Sequence, residues 1–329
     1  MLLRPIIIRI SLLLLVWGCG RSDKPVSDDK PESKPPNVIR EDKLPKDILK
    51  RHPDTDRLPP ILHSNRFDMP VPLPYPVNTS GAEDSPFILP DGKTLYFFFT
   101  PDVRVPPNKQ LFDEVTGIWV CHREGNSWTV PVRVRLQDPG KLALDGAVCI
   151  QEDEMWFASA REGYTGVNMF TAHCIQGQWM DPQYVGDRLM KEIQIGEVHI
   201  HQNDLYFHSP RKGGLGDYDI WMTSRKGNTW SDPVLLQSVN SPAMDGYPFV
   251  SSDGNELWFT RTHRGTPAIF RSVKIKGQWD EPELIVSQFA GEPTLDNAGN
   301  LYFVHHFYEN NVMIEADLYV AYKKSNSIQ

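Results

Sequence analysis

Acidic side chains recur wherever a short apolar strand begins: Glu83, Asp145, Glu197, Asp245 and Glu292. Glu83, Asp145 and Asp245 lie three residues before the first core position of their strand, whereas Glu197 and Glu292 lie one before it. An offset of two keeps a side chain on the same face of a β-strand, so the spacing predicts that all five line one mouth of a shared channel. Crowded carboxylates raise one another's pKa unless a cation relieves them. Arg161 and Arg211 stand at matching places, each two residues after a serine, Ser159 and Ser209, and are the candidates for that relief. The seven residues read as a ligand-binding set; the plainer alternative is that the acids cap turns and pair with the arginines to lock the sheets together.

Two further residues, taken with Glu197, suggest metal chemistry. Glu197, His199 and His201 alternate along one strand and so share a face, with His208 nearby, which would suit a divalent cation in the channel. The alternative is polar filling of a wet channel. No other cofactor is implied. His305 and His306 are adjacent and point to opposite faces. Cys121, Cys149 and Cys174 fit no zinc spacing and read as small apolar side chains on strands.

The elements that carry these groups repeat. Leu95-Tyr96-Phe97, Met155-Trp156-Phe157, Leu205-Tyr206-Phe207, Leu257-Trp258-Phe259 and Leu301-Tyr302-Phe303 recur at roughly 45 to 60 residues, a period that marks a repeat architecture. In the fourth copy, Gly246 to Val250 reads as an inner strand, Ser252-Asp253-Gly254-Asn255 as a hairpin turn, Glu256 to Thr260 as strand two, Ala268 to Val273 as strand three and Glu281 to Ile285 as an outer strand. Trp128, Trp179, Trp230 and Trp279 each follow a Gly-Asn or Gly-Gln turn. Four antiparallel strands at this spacing describe a propeller blade, and the count predicts an all-β, five-bladed β-propeller.

The fifth copy ends without a tryptophan or a fourth strand. Phe67 to Leu73, followed by Val77-Asn78, matches Trp230 to Leu236, followed by Val239-Asn240. The amino-terminal strand is therefore expected to pair into the last blade, with Phe67 in the tryptophan slot, closing the ring and removing two sheet edges.

The chain has 329 residues, 40% hydrophobic and 11% aromatic, and a formal net charge of −8. That acidic balance excludes an electrostatic nucleic-acid binder. Arg4 and Arg9 precede a short apolar run that ends Val16-Trp17-Gly18-Cys19. This end resembles a bacterial lipoprotein signal, with Cys19 as the lipidated residue; Trp17 departs from the usual small side chain there. The expected organisation is a signal peptide over 1–19, a disordered tether rich in Pro, Asp, Lys and Ser over 20–62, and the propeller over 63–325.

The blade units resemble the WD40-like β-propeller repeat of TolB and of envelope proteins linked to OmpA-type domains. The likeness is carried by Leu205 to Trp221, Trp230-Ser231-Asp232-Pro233 and Asp253 to Phe259, and more loosely by Asn65 to Lys324. It implies an exported module that contacts a protein or carbohydrate of the cell envelope, facing the periplasm or the exterior and touching a membrane only through its lipid. Loops Pro101 to Val115, Gly163 to Asn168 and Gly213 to Asp217 would form the binding rim. A second resemblance, to five-bladed arabinanase- and fructosidase-type glycosidases, implies three carboxylates on the first three inner strands. Glu83 or Asp84, Asp145 and Glu197 hold those places here, without the flanking motifs of those enzymes, so binding is preferred to hydrolysis.

Overall fold

The structure, a computed structural model, describes residues 38–325. The signal segment, Cys19 and the first part of the expected tether lie outside the described residues.

Period-two apolar patterning gives sheets whose two faces must both be covered. Among the described residues the strands form five antiparallel sets of four. The first comprises Ala82–Ile88, Thr94–Thr100, Gly117–Glu124 and Val132–Arg133. The second comprises Ala143–Gln151, Glu154–Arg161, Asn168–Ile175 and Gln178–Tyr184. The third runs through Val198–His201, Asp204–Ser209, Asp219–Lys226 and Val234–Leu235. Asp245–Val250, Glu256–His263, Thr266–Ile275 and Glu283–Ser287 make the fourth. The fifth joins Ala290–Leu295, Leu301–Glu309 and Val312–Ala321 to Val71–Pro72 from the front of the chain. Val71 pairs with Val320 and Pro72 with Tyr319, so the ring is closed by the strand that the repeat pattern singled out.

Aromatic side chains bind each sheet to the one before it. Trp179 donates to the hydroxyl of Tyr96 at 3.0 Å. Trp230 meets Trp156 edge-on with ring centroids 5.9 Å apart, and Trp279 meets Tyr206 at 6.2 Å. Phe67 repeats the contact for the fifth sheet, edge-on to Trp258 at 6.0 Å. Such edge-to-face pairs contribute about 0.5–1.5 kcal/mol each beyond their burial. The tryptophan slot is therefore a place between sheets.

From residue 38 onward the segment expected as a tether is instead packed on the body. Arg40 is 1% exposed and Ile61–Leu62 pairs with Val286 and Ser287 of the fourth sheet. The physical reason is charge: the first and fifth sheets bury Glu83, Glu315 and Asp317, and Arg40 and Lys50 of this segment supply the cations that they need.

Candidate functional site

Inner-strand positions can be aligned by the strand-two residue that each faces. Phe87 faces Tyr96, Cys149 faces Trp156, His199 faces Tyr206, Phe249 faces Trp258 and Thr294 faces Tyr302. Two residues earlier stand Ser85, Ala147, Glu197, Tyr247 and Glu292; two earlier again stand Glu83, Asp145, Ile195, Asp245 and Ala290. In four of the five strands a β-bulge falls between these two levels, with register shifts between Asp84 and Phe87, Gly146 and Cys149, Gly246 and Phe249, and Gly291 and Thr294. A bulge breaks the alternation of faces. The two-residue offset therefore does not bring the five acids together.

Glu83, Asp145 and Asp245 are fully buried, and each is claimed by an arginine. Arg161 donates to Asp145 Oδ1 at 3.0 Å, as does the Ser159 hydroxyl at 2.5 Å. Arg261 donates to Asp245 Oδ1 at 2.5 Å, while the Ser241 backbone and hydroxyl reach Oδ2 at 2.7 and 2.8 Å. Glu83 takes Arg40 at 3.1 Å together with the Thr79 hydroxyl and backbone at 2.7 and 2.9 Å. These three acids are locks, each paired within the chain, and Arg161 is engaged in one of the pairs. Arg211 meets no carboxylate among the described residues; it donates to the Ile193 carbonyl at 3.4 Å and lies over the Trp221 ring at 4.9 Å. Its blade has Ile195 where the first, second and fourth have an acid.

Glu197 and Glu292 behave differently. They stand at the bulge level, where Ser85, Ala147 and Tyr247 complete a cleft at the axis, walled by Pro86, Phe87, Val198, Pro248, Phe249 and Pro293. All five inner strands contribute to it. Ser85, Ala147, Tyr247 and Glu292 have φ of 47°, 49°, 54° and 53°, a left-handed conformation that costs a non-glycine residue about 1–2 kcal/mol. Strain held in this way collects at functional sites. Burial among these apolar walls, with Asp84 beside it, pushes the Glu197 carboxyl up to about 8. Burial, then Asp84 and Glu197, pushes Glu292 well above the carboxylate range, against hydrogen bonding from Ser85. The Tyr247 hydroxyl is driven up by burial and by Glu197, Glu292 and Asp84. Glu292 Oε2 is buried without a partner. Asp84 accepts from its neighbour Ser85 through Oδ1 at 2.8 Å, while its Oδ2 lies 3.6 Å from His306 Nε2. No arginine reaches any of the three carboxylates among the described residues.

The trio proposed for a metal does not converge. Glu197 faces the cleft, whereas His199 is 7% exposed and packed on Phe249 at 4.6 Å, with Nδ1 3.7 Å from Cys149 Sγ. Burial holds the His199 imidazole down to about 3. His201 lies further out, against Gly254. Among the described residues no three His, Cys, Asp or Glu side chains gather closely enough for a metal ion. His208 is buried beneath the cleft, where its Nδ1 takes the Tyr247 backbone N–H at 3.2 Å.

Several residues of this arrangement, among them Arg261, Ser85, Tyr247 and Arg40, escaped the sequence reading. Tyr247 had a signal: it stands two before Phe249, as Glu197 stands two before His199. Arg40 had none, since it lies in a polar stretch 43 residues from its partner.

No protein-family model matches this chain, and no curated protein does. Solved structures do. A protein of unknown function from Dyadobacter fermentans is 12% identical over 79% of this chain and 99% of its own, with a TM-score of 0.46. TolB from Acinetobacter baumannii is 11% identical over 76% of this chain and 56% of its own, with a TM-score of 0.42. GH43B of a Bacteroides ovatus xyloglucan PUL is 15% identical over 79% of this chain and 55% of its own, at 0.48. The chain thus spans nearly all of the first and about half of the other two. The propeller architecture rests on the strand pairing described above.

Proposed function

We propose that the protein is an exported binding module of the bacterial cell envelope, held to a membrane through lipid on Cys19, whose ligand docks a cationic or hydrogen-bond-donating group into the axial cleft. The ligand is a protein or a carbohydrate. One observation carries this reading: Glu197 and Glu292 face a cleft, with Asp84 beside them, and among the described residues no arginine neutralises these half-buried acids, whereas the fully buried inner-strand acids Glu83, Asp145 and Asp245 each have an arginine. Burying acceptors without donors is unfavourable unless a ligand supplies the donors.

Hydrolysis is the second reading, and the Glu197 carboxyl, held at about 8, favours it because a general acid must keep its proton near neutrality. It requires a carboxylate partner, and Asp145 and Glu83 are both occupied by arginines. Asp84 or Glu292 would then have to serve. The two readings separate in one experiment: binding and sugar release are measured across a panel of envelope polysaccharides and peptides, for the wild type and for Glu197→Gln. Saturable binding without sugar release supports the binding module. Release abolished by the substitution supports the enzyme, and no binding to any probe overturns the first reading. Metabolic labelling with palmitate, lost in Cys19→Ala, tests the anchor.

A further inference from the structure

Among the described residues, three buried carboxylates at the ends of the ring have no cation in their own sheets. Glu83 belongs to the first sheet and Glu315 and Asp317 to the fifth; they are 0%, 1% and 1% exposed. The second and fourth sheets answer the same problem internally, with Arg161 and Arg261. The first and fifth import their cations from residues 38–62. Arg40 enters the first sheet beneath Phe97, Phe99 and Trp119, donating to Glu83 at 3.1 Å and to the Val77 carbonyl at 2.8 Å. Lys50 donates to Glu315 and, at 2.5 Å, to Asp317. The Arg51 backbone N–H reaches Glu315 at 3.1 Å, and Asp56 meets His305 Nε2 at 2.8 Å. Ile61–Leu62 then pairs with the fourth sheet. One irregular segment thus spans three sheets.

The boundary that it crosses depends on this segment for its balance of charge. The parallel bridge from Ala82 to Ala316 and the hydrogen bond from the Asn297 N–H to the Pro90 carbonyl at 2.7 Å join the first sheet to the fifth. The fifth sheet is built from both ends of the chain. It also holds five of the twelve buried side-chain atoms that lack a hydrogen-bond partner among the described residues: Glu292 Oε2, Tyr302 Oη, His305 Nδ1, His306 Nε2 and Tyr319 Oη. Loss of Arg40 and Lys50 would strand buried carboxylates in these two sheets, and a protein opens first where its local stability is lowest.

We infer that residues 38–62 are a releasable clasp, which holds the seam between the fifth and first sheets shut through Arg40 and Lys50, and that loss of the clasp opens the ring at this seam alone. The cleft borders the same seam, since Ser85 belongs to the first sheet and Glu292 to the fifth. Opening therefore widens the cleft on its acidic side. The clasp stands whether or not the cleft binds a ligand.

Hydrogen exchange followed by mass spectrometry on the full chain tests it. In Lys50→Met, peptides covering 71–84 and 301–321 exchange about tenfold faster than in the wild type or more, while those from the second and third sheets, 143–235, are unchanged. Acceleration of equal size in every sheet would mean ordinary loss of stability, and no acceleration would mean a seam that holds unaided; either result overturns the clasp. Should Lys50→Met fail to accumulate as folded protein, the same comparison is made on wild-type chain nicked by trypsin within 43–57.

Discussion

The molecule treats its inner-strand acids in two opposite ways. At the outer level, Glu83, Asp145 and Asp245 are sealed from water, and each has an arginine and a hydroxyl. At the bulge level, on the other two inner strands, Glu197 and Glu292 have burial and like charge but no cation among the described residues. Residue type does not distinguish the two groups. What distinguishes them is whether a donor was built to meet the acid, and that is the difference between a carboxylate that holds sheets together and one left available to something outside the chain.

The contrast can be broken most forcefully at a lock. Arg161→Ala leaves Asp145 charged and buried, and such a loss costs about 3–5 kcal/mol. Urea unfolding measures it, and a loss below about 1 kcal/mol would place Asp145 with the cleft acids. Changing both partners, Asp145→Asn with Arg161→Met, should cost much less than Arg161→Ala, since no charge is left stranded.

The cleft acids give the opposite sign. A folded-state carboxyl at about 8 against an ordinary 4.5 means that the folded protein keeps the Glu197 proton while the unfolded chain has lost it. Stability from this group is therefore full below pH 4.5 and drains away as the pH rises towards 8. Thermal midpoints measured across that window should fall with pH in the wild type and fall less steeply in Glu197→Gln. A substitution that removes a carboxylate is thus expected to stabilise the protein at pH 8, whereas Asp145→Ala destabilises it.

The smallest effect belongs to Arg211. It matches Arg161 in sequence, yet it stacks on Trp221 instead of meeting an acid. Arg211→Ala should cost about 1 kcal/mol, the scale of a partly exposed cation–π contact. A loss as large as that of Arg161→Ala would show that the two arginines do the same work after all.

Much of the fold was legible because it is written locally. Strand, turn and strand follow one another within each unit, and even the closing strand carried its own copy of the marker, Phe67 in place of tryptophan. The site was less legible because it depends on where local regularity fails. Asp145 and Glu197 differ by two positions in their offset, which on an unbroken strand would put both on one face; the bulges at Gly146–Cys149 and its counterparts undo that arithmetic. Residues at positive φ such as Ser85 and Tyr247 have no reliable sequence signature, since neither is glycine or asparagine. Arg40 and Lys50 looked like tether for a related reason: their partners are Glu83, Glu315 and Asp317, and nothing nearby in the sequence announces them.

The four left-handed residues around the axis are held by main-chain geometry that asks little of the side chain. Serine, alanine, tyrosine and glutamate all occupy the same backbone shape there. That makes the hub a socket with interchangeable fittings: its chemistry can be rewritten one residue at a time, by natural drift or by an engineer, while the surrounding wheel keeps its form.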